Sequence, residues 1–336
     1  MRVYLHGRDN VGWSIDNDRK YTEIFLKALG HTVTPNFFKA DVIHAVWWNL
    51  LLSYRSYPLR WKKIIAVATN EIDINDPGFA KAKGFVNLWV APSKMMYERL
   101  RAVGVDTRYQ PFYIDETIFV ELKKDKKEIA QELDIDYERI RDKLVMGSFQ
   151  RDSLGSDLTK PKWQKGPELL VDIVQNLPKD KTVILLAGPR RHWIINRCKE
   201  LKIPYIFYRE EPDLAVDDIL LNTLDRQTIN KLYNLIDLYI ISSRSEGGPK
   251  AVLESAFTNT MILSTNVGLA PDFLDPWCVY STLEEVTAKI KEIINGKDTS
   301  PFIRLNYEKA RSIASYQPTL DRWIEIYEYF EDRYLT

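Results

Sequence analysis

The sequence predicts an α/β protein made of two doubly wound parallel sheets. Three observations carry that reading. Short apolar runs alternate with amphipathic helical runs along most of the chain, the pattern of a parallel sheet covered on both faces. The alternation breaks at a highly charged stretch and then restarts. The length, 336 residues, suits two domains better than one.

The first half opens with "RVYLHG", a buried strand ending at Gly7. "DNDRKYTEIFLKALGHTV" reads as a helix stopped by Gly30 and followed by a second strand. "ADVIHAVWW", "WKKIIAVAT" and "VNLWVAPS" supply three more strands. A helix, "SKMMYERLRAVGV", closes at Gly104, and "TRYQPFYID" returns as a strand. These elements predict a Rossmann-like domain over residues 1–115. Residues 116–143 are dense in charge and read as a solvated connector with a short helix.

The same alphabet then repeats over residues 144–317. "KLVMGSFQ", "KTVILLAGP", "PYIFY", "DLYIISSRS" and "MILSTN" read as strands. "GPELLVDIVQNLP", "RRHWIINRCKELKI", "DRQTINKLYNLI" and "PKAVLESAFTN" read as helices between them. At the end, Pro318 interrupts any helix arriving from "NYEKARSIASY". Beyond it Leu320, Trp323, Ile324, Tyr327 and Phe330 form an apolar face that has to be buried.

Composition narrows the function. The formal net charge is zero, which argues against a partner held mainly by phosphate contacts, such as nucleic acid. Cys198 and Cys278 match no metal or redox spacing and read as reduced thiols. No apolar run reaches the ~20 residues that span a bilayer. "MRVYLHGRDN" reads as a strand followed by polar residues, not as a leader. The expected compartment is the cytoplasm, with membrane contact at most peripheral to the inner face.

The chemistry concentrates in "SSRSEGGPKAVLESA", Ser242 to Ala256. It is a strand end, a glycine turn and a helix start. Gly247 and Gly248 permit close backbone approach, and Pro249 is suited to a helix start. The helix beginning at Lys250 offers N–H groups and a positive dipole end to an anion. Glu246 and Glu254 are wrong for phosphate but right for accepting hydrogen bonds from hydroxyls. A ligand with hydroxyls and phosphates satisfies both, and a sugar nucleotide is such a ligand. Arg151, past the first strand of this half, and Lys165, before Gly166 and Pro167, supply cations at the same sheet edge.

These residues resemble the retaining glycosyltransferases of the GT-B fold, in particular family 4-like enzymes of glycosyltransferase group 1. Glu246 and Glu254 have the E-x7-E spacing, in the subset S-E-G-x-P-x-x-x-x-E from Ser245 to Glu254. Arg151 with Lys165-Gly166, "LAGPRR" around Gly188, "STNVGLAPDFL" and "ALGHTV" are similar to other family stretches. The resemblance implies two Rossmann-like domains facing across a cleft, with residues 318–336 returning as a helix to the first. It implies that Arg151 and Lys165 hold the donor diphosphate, Glu246 the donor sugar and Glu254 the ribose. Three places depart from the family. Gly12-Trp13 stands where a glycine pair is frequent in the first loop. Thr69, Asn70 and Glu71 stand where many members have a histidine. Leu269 and Asp272 replace Gly and Glu.

The expected activity is sugar transfer from a nucleotide-diphosphate sugar, UDP- or GDP-linked, to a hydroxyl acceptor. The acceptor would be a saccharide or a lipid- or protein-linked glycan. Glu246, Arg151 and Lys165 are the candidate catalytic residues. The donor set adds Gly12, Trp13, Gly188, Gly247, Gly248, Pro249, Lys250 and Glu254. His6, Asn70 and Glu71 are candidates for the acceptor side. Neither metal nor cofactor is expected: the Asp16–Asp18 Asp-x-Asp opens a helix, where carboxylates complement the dipole. His44, flanked by apolar residues, reads as a satisfied strand-end histidine. An epimerase or phosphorylase on the same frame, or a silent nucleotide-sugar-binding protein, are the alternatives.

Overall fold

The computed structural model describes residues 1–8, 14–53, 59, 61–213 and 216–335. It contains two compact units. The first comprises Met1–Tyr113, Glu246–Pro249 and Ser312–Thr336, and the second Ile114–Ser245 and Lys250–Arg311.

The first unit holds a parallel sheet ordered β2-β1-β3-β4-β5-β6. Its strands are β1 (Arg2–His6), β2 (Thr32–Val33), β3 (Val42–Ala45), β4 (Lys63–Val67), β5 (Leu88–Ala91) and β6 (Thr107–Tyr109). Alternate residues of the central strands feed two separate cores. Ile43, Ile64, Ala66 and Trp89 point to one face, against Trp48, Phe79 and Leu100. Val42, Ile65, Val67 and Leu88 point to the other, against Tyr21, Phe25 and the last helix. With both faces covered, β3 and β5 are buried at every position, so they read as apolar runs and not as alternation.

The last helix, Tyr316–Tyr334, belongs to this first unit. Trp323, Ile326, Tyr327 and Phe330 form its buried stripe, at i, i+3, i+4 and i+7. Ile324, expected in that stripe, is 37% exposed, and Ile326 takes its place. The stripe is centred between Trp323 and Phe330; Ile326 and Tyr327 lie about 50° to either side of that centre, and Ile324 about 110° away. Pro318 is the third helical residue, inside the first turn where a missing N–H costs no bond. Asp106 anchors the far end of the helix, accepting from the hydroxyls of Tyr329 (2.5 Å) and Tyr334 (2.7 Å).

The second unit repeats the plan in the order β12-β11-β10-β7-β8-β9. Its strands are β7 (Leu144–Ser148), β8 (Thr182–Leu186), β9 (Tyr205–Phe207), β10 (Leu238–Ile241), β11 (Met261–Thr265) and β12 (Val279–Tyr280). All pairings are parallel. The chain starts at β7, runs outward to β9, then returns to β10 on the other side of β7. That reversal makes the carboxyl ends of β7 and β10 the topological switch point of the sheet, the place where ligands bind in such sheets.

The charged stretch after residue 115 packs on the second unit. Val120 N–H donates to Asn230 Oδ1 (3.0 Å) and Leu122 N–H to Asn234 Oδ1 (2.7 Å). Its helix, Lys126–Glu132, starts with a capping box between Asp125 and Glu128.

Candidate active site

At the carboxyl end of β7 and β10 the second unit ties two loops together. Gly166 has φ +54, and a Cβ there would lie 2.0 Å from the Ser242 carbonyl oxygen. Only glycine fits both the left-handed backbone and the close crossing. Around it, Arg244 N–H donates to Gln164 O (2.9 Å) and Ser245 N–H to the same oxygen (3.3 Å). The Lys165 carbonyl accepts from Ser242 Oγ and Gln150 Nε2, both at 3.2 Å. Lys165 is thereby fixed next to the end of β10, with Pro167 opening the helix Pro167–Gln175 behind it. Arg151 follows β7 by three residues and is half-buried.

Gly188, just beyond β8, takes φ +86, and a Cβ on it would sit 3.3 Å from Phe149 O. It brings the β8 turn close to the end of β7. On the other side, Ser242 and Ser243 are fully buried at the end of β10, and Thr265 Oγ1 donates to Ser243 O (2.6 Å).

The helix after the glycine turn is Lys250–Phe257, with Pro249 directly before it. Lys250 and Glu254 are half-buried. Glu254 Oε2 accepts from the Tyr233 hydroxyl at 3.2 Å. Burial, then the neighbouring Tyr239 and Glu254, push the Tyr233 hydroxyl well above its ordinary pKa, so it stays a donor. Glu246, Gly248 and the intervening Gly247 form a turn that groups with the first unit, where a Cβ on Gly247 would lie 2.4 Å from Thr69 O.

In the first unit, His6 ends β1 and lines a pocket with Arg8 and Arg19. Burial, and to a lesser extent Arg19, lower its pKa, against a hydrogen bond with the Leu50 backbone. Asn70 Oδ1 accepts from the indoles of Trp47 (2.7 Å) and Trp48 (3.0 Å). Glu71 pairs with Arg99 at 2.5 Å. Both side chains hold neighbouring elements together. His44 is buried with Nδ1 2.7 Å from the Tyr327 hydroxyl, and desolvation pushes its pKa down to about 3. Gly12 and Trp13 lie outside the described residues. Among the described residues no group of three His, Cys, Asp or Glu side chains is arranged to hold a metal.

Sequence reading missed the residues that lock the loops: Gln150, Ser242, Arg244, and a buried ion pair between Asp152 and Arg191 (2.9 Å). The serine pair at the end of β10 and the "RD" and "RR" pairs after β7 and β8 were the available signals.

Residues 160–301 match the family of glycosyl transferases group 1, a span that includes Lys165, Glu246 and Glu254 and begins after Arg151. No curated protein matches the sequence. Among solved structures, the chain is similar to sucrose-phosphate synthase of Thermosynechococcus elongatus. The TM-score is 0.75 and the identity 12%, over 98% of this chain and 99% of that one. It is similar to Anabaena HepE in complex with UDP and glucose, with TM-score 0.70 and 15% identity, over 98% and 99%. A glycosyltransferase from Rickettsia africae gives TM-score 0.71 and 15% identity, over 99% of both chains. With its two six-stranded parallel sheets and its last helix in the first unit, the chain has the GT-B fold, and over residues 160–301 it matches glycosyl transferases group 1.

Proposed function

We propose that this protein transfers a sugar from a nucleoside-diphosphate sugar to a hydroxyl acceptor, with retention and without a metal. The observation that carries the reading is the pair of loops locked together at the switch point formed by the ends of β7 and β10. There Gly166 and its hydrogen bonds fix Lys165 beside the strand that leads to Glu246 and Glu254. The match to glycosyl transferases group 1 over residues 160–301 supports it. So does the likeness in fold to an Anabaena protein solved with UDP-glucose.

In this reading Arg151 and Lys165 hold the diphosphate, with backbone N–H groups of Gly188, Gly247 and Gly248 and of the helix start near Pro249 and Lys250. Glu246 accepts from hydroxyls of the donor sugar. Glu254, with Tyr233 donating to it, accepts from the ribose. The acceptor oxygen bonds to the anomeric carbon on the face that the diphosphate leaves. As the bond from that carbon to the diphosphate oxygen breaks, the acceptor's proton passes to the departing phosphate. The two cations and the helix dipole stabilise the charge left behind. The carboxylates grip hydroxyls and do not act as the nucleophile used by retaining hydrolases. UDP- and GDP-sugars are the donor classes, and a saccharide or linked glycan is the acceptor class.

Labelled UDP- and GDP-sugars offered with a panel of saccharides, with and without inorganic phosphate, test this. The proposal predicts a new glycoside with the donor's anomeric configuration. An altered but untransferred sugar would mean an epimerase, and a glycosyl phosphate a phosphorylase. Bound but unchanged donor would mean a binding protein.

A further inference from the structure

Between Arg151 and Lys165 the second unit carries a hairpin with an unusual stem. Asp152 and Arg191 are 2% and 0% exposed, and Arg191 Nε lies 2.9 Å from Asp152 Oδ2. Arg191 Nη2 donates to Ser148 Oγ at 3.1 Å, on the last residue of β7. Asp152 Oδ1 accepts from Ser153 Oγ (3.0 Å) and Ile194 N–H (3.4 Å). Ser153 Oγ in turn accepts from Trp193 N–H (2.9 Å).

The backbone follows the same line. Asp152 and Ser153 N–H both donate to Arg190 O, at 3.2 and 3.1 Å. Lys162 N–H returns to Asp152 O at 2.5 Å, Leu154 N–H to Lys160 O at 3.1 Å, and Ser153 pairs antiparallel with Pro161. A Cβ on Gly155 would lie 2.4 Å from the Arg190 guanidinium, itself paired with Asp217 at 2.6 Å. The stem is therefore pinned to the 190–194 turn, and its two ends carry Arg151 and Lys165.

Energetically the pair is expensive. Burial raises the Asp152 pKa, against the pull of Arg191, and burial lowers that of Arg191, so desolvation outweighs attraction on both partners. Buried ion pairs of this kind can often be replaced by apolar residues without loss of stability. What an apolar replacement loses is fixed geometry, the role a supporting shell has in holding a binding group to a few tenths of an ångström.

We infer that the buried Asp152–Arg191 pair is a positioning device that sets, through the hairpin Asp152–Lys162, the placement of Arg151 and Lys165 toward a nucleoside diphosphate. This rests on the assignment of those two cations to the diphosphate.

The test is the double variant Asp152→Asn/Arg191→Met, which removes both charges together and leaves no buried charge unpaired. Three measurements accompany it: the unfolding midpoint, calorimetric affinities for UDP, GDP, uridine and guanosine, and amide exchange at Leu154, Lys160 and Lys162. The expected result is an unfolding midpoint equal to or above wild type. Diphosphate affinity falls about tenfold or more, nucleoside affinity holds, and exchange at the three amides is faster. Wild-type diphosphate affinity in the double variant overturns the inference, whatever its exchange rates. If the double variant does not fold, Arg191→Lys replaces it. That variant keeps the charge balance but shortens the fork that reaches both Asp152 and Ser148, and a smaller loss of about threefold, again confined to the diphosphates, is expected. UDP and GDP affinities of Arg191→Lys equal to those of wild type overturn the inference. A wild-type protein that binds diphosphates no better than nucleosides points instead to a failure of the Arg151–Lys165 assignment. The exchange rates then decide whether the pair fixes the hairpin.

Discussion

The carboxyl edges of the two sheets are built from similar residues and use them differently. In the first unit, polar side chains at that edge tie the unit together: Asn70 bridges two indoles, Glu71 holds Arg99, and Thr69 Oγ1 donates to Val46 O. In the second, side chains and glycines tie loops together at the switch point: Gly166 is imposed by backbone approach and positive φ, Gly188 by positive φ. The contrast teaches that polar side chains at a sheet edge can be engaged in holding their own unit together. A glycine forced between two crossing backbones beside cations is the more informative sign.

Gly166→Ala breaks the second edge most severely. A Cβ 2.0 Å from Ser242 O, at positive φ, moves the backbone of two loops. The cost should be about 3 kcal/mol of stability, with loss of diphosphate binding, read by denaturant unfolding and calorimetry. Asn70→Ala is the counterpart at the first edge. It leaves two indole N–H groups without an acceptor and should cost about 2 kcal/mol while diphosphate affinity holds. Equal loss of affinity in both variants would erase the distinction between the edges.

A third experiment uses pH. His44 is neutral in the folded protein down to about pH 3, whereas the unfolded chain takes up its proton near 6.5. Its contribution to stability is therefore complete above 6.5 and is lost as pH falls toward 3. His6 and His31 are lowered by burial in the same direction, so His44 is one share of the slope. Between pH 6.5 and 5, where the exposed carboxylates remain ionised, His44→Gln should lose stability less steeply than wild type. Parallel slopes would mean that His44 is accessible to protons. The smallest expected effect is that of a chelator. EDTA should leave turnover unchanged, and a loss restored by divalent metal would contradict metal-independent transfer.

The alternation of strands and helices was legible because parallel strands buried on both faces become apolar runs. Gly166 and Gly188 were legible because each stands in a turn just beyond a strand or before a helix. The helix Pro77–Lys83 was not read: its "PGFAKAK" is short, with only Phe79 and Ala82 buried. The structural work of Asn70 was invisible, because its partners Trp47 and Trp48 are distant in sequence. Asp152 and Arg191 share that difficulty, since nothing local separates a buried arginine from a solvated one. In the last helix the periodicity and the face were legible from Leu320, Trp323, Tyr327 and Phe330, and only one edge position differed, with Ile326 buried and Ile324 exposed.

The central claim is that the switch point at the ends of β7 and β10 holds a nucleoside diphosphate through Arg151 and Lys165. Calorimetry of UDP and GDP on wild type, Arg151→Ala and Lys165→Ala tests it most directly, with uridine and guanosine as references. The account predicts that each variant folds as wild type, keeps its nucleoside affinity and loses about 2 kcal/mol of diphosphate binding. Diphosphate affinity unchanged in both variants would contradict it.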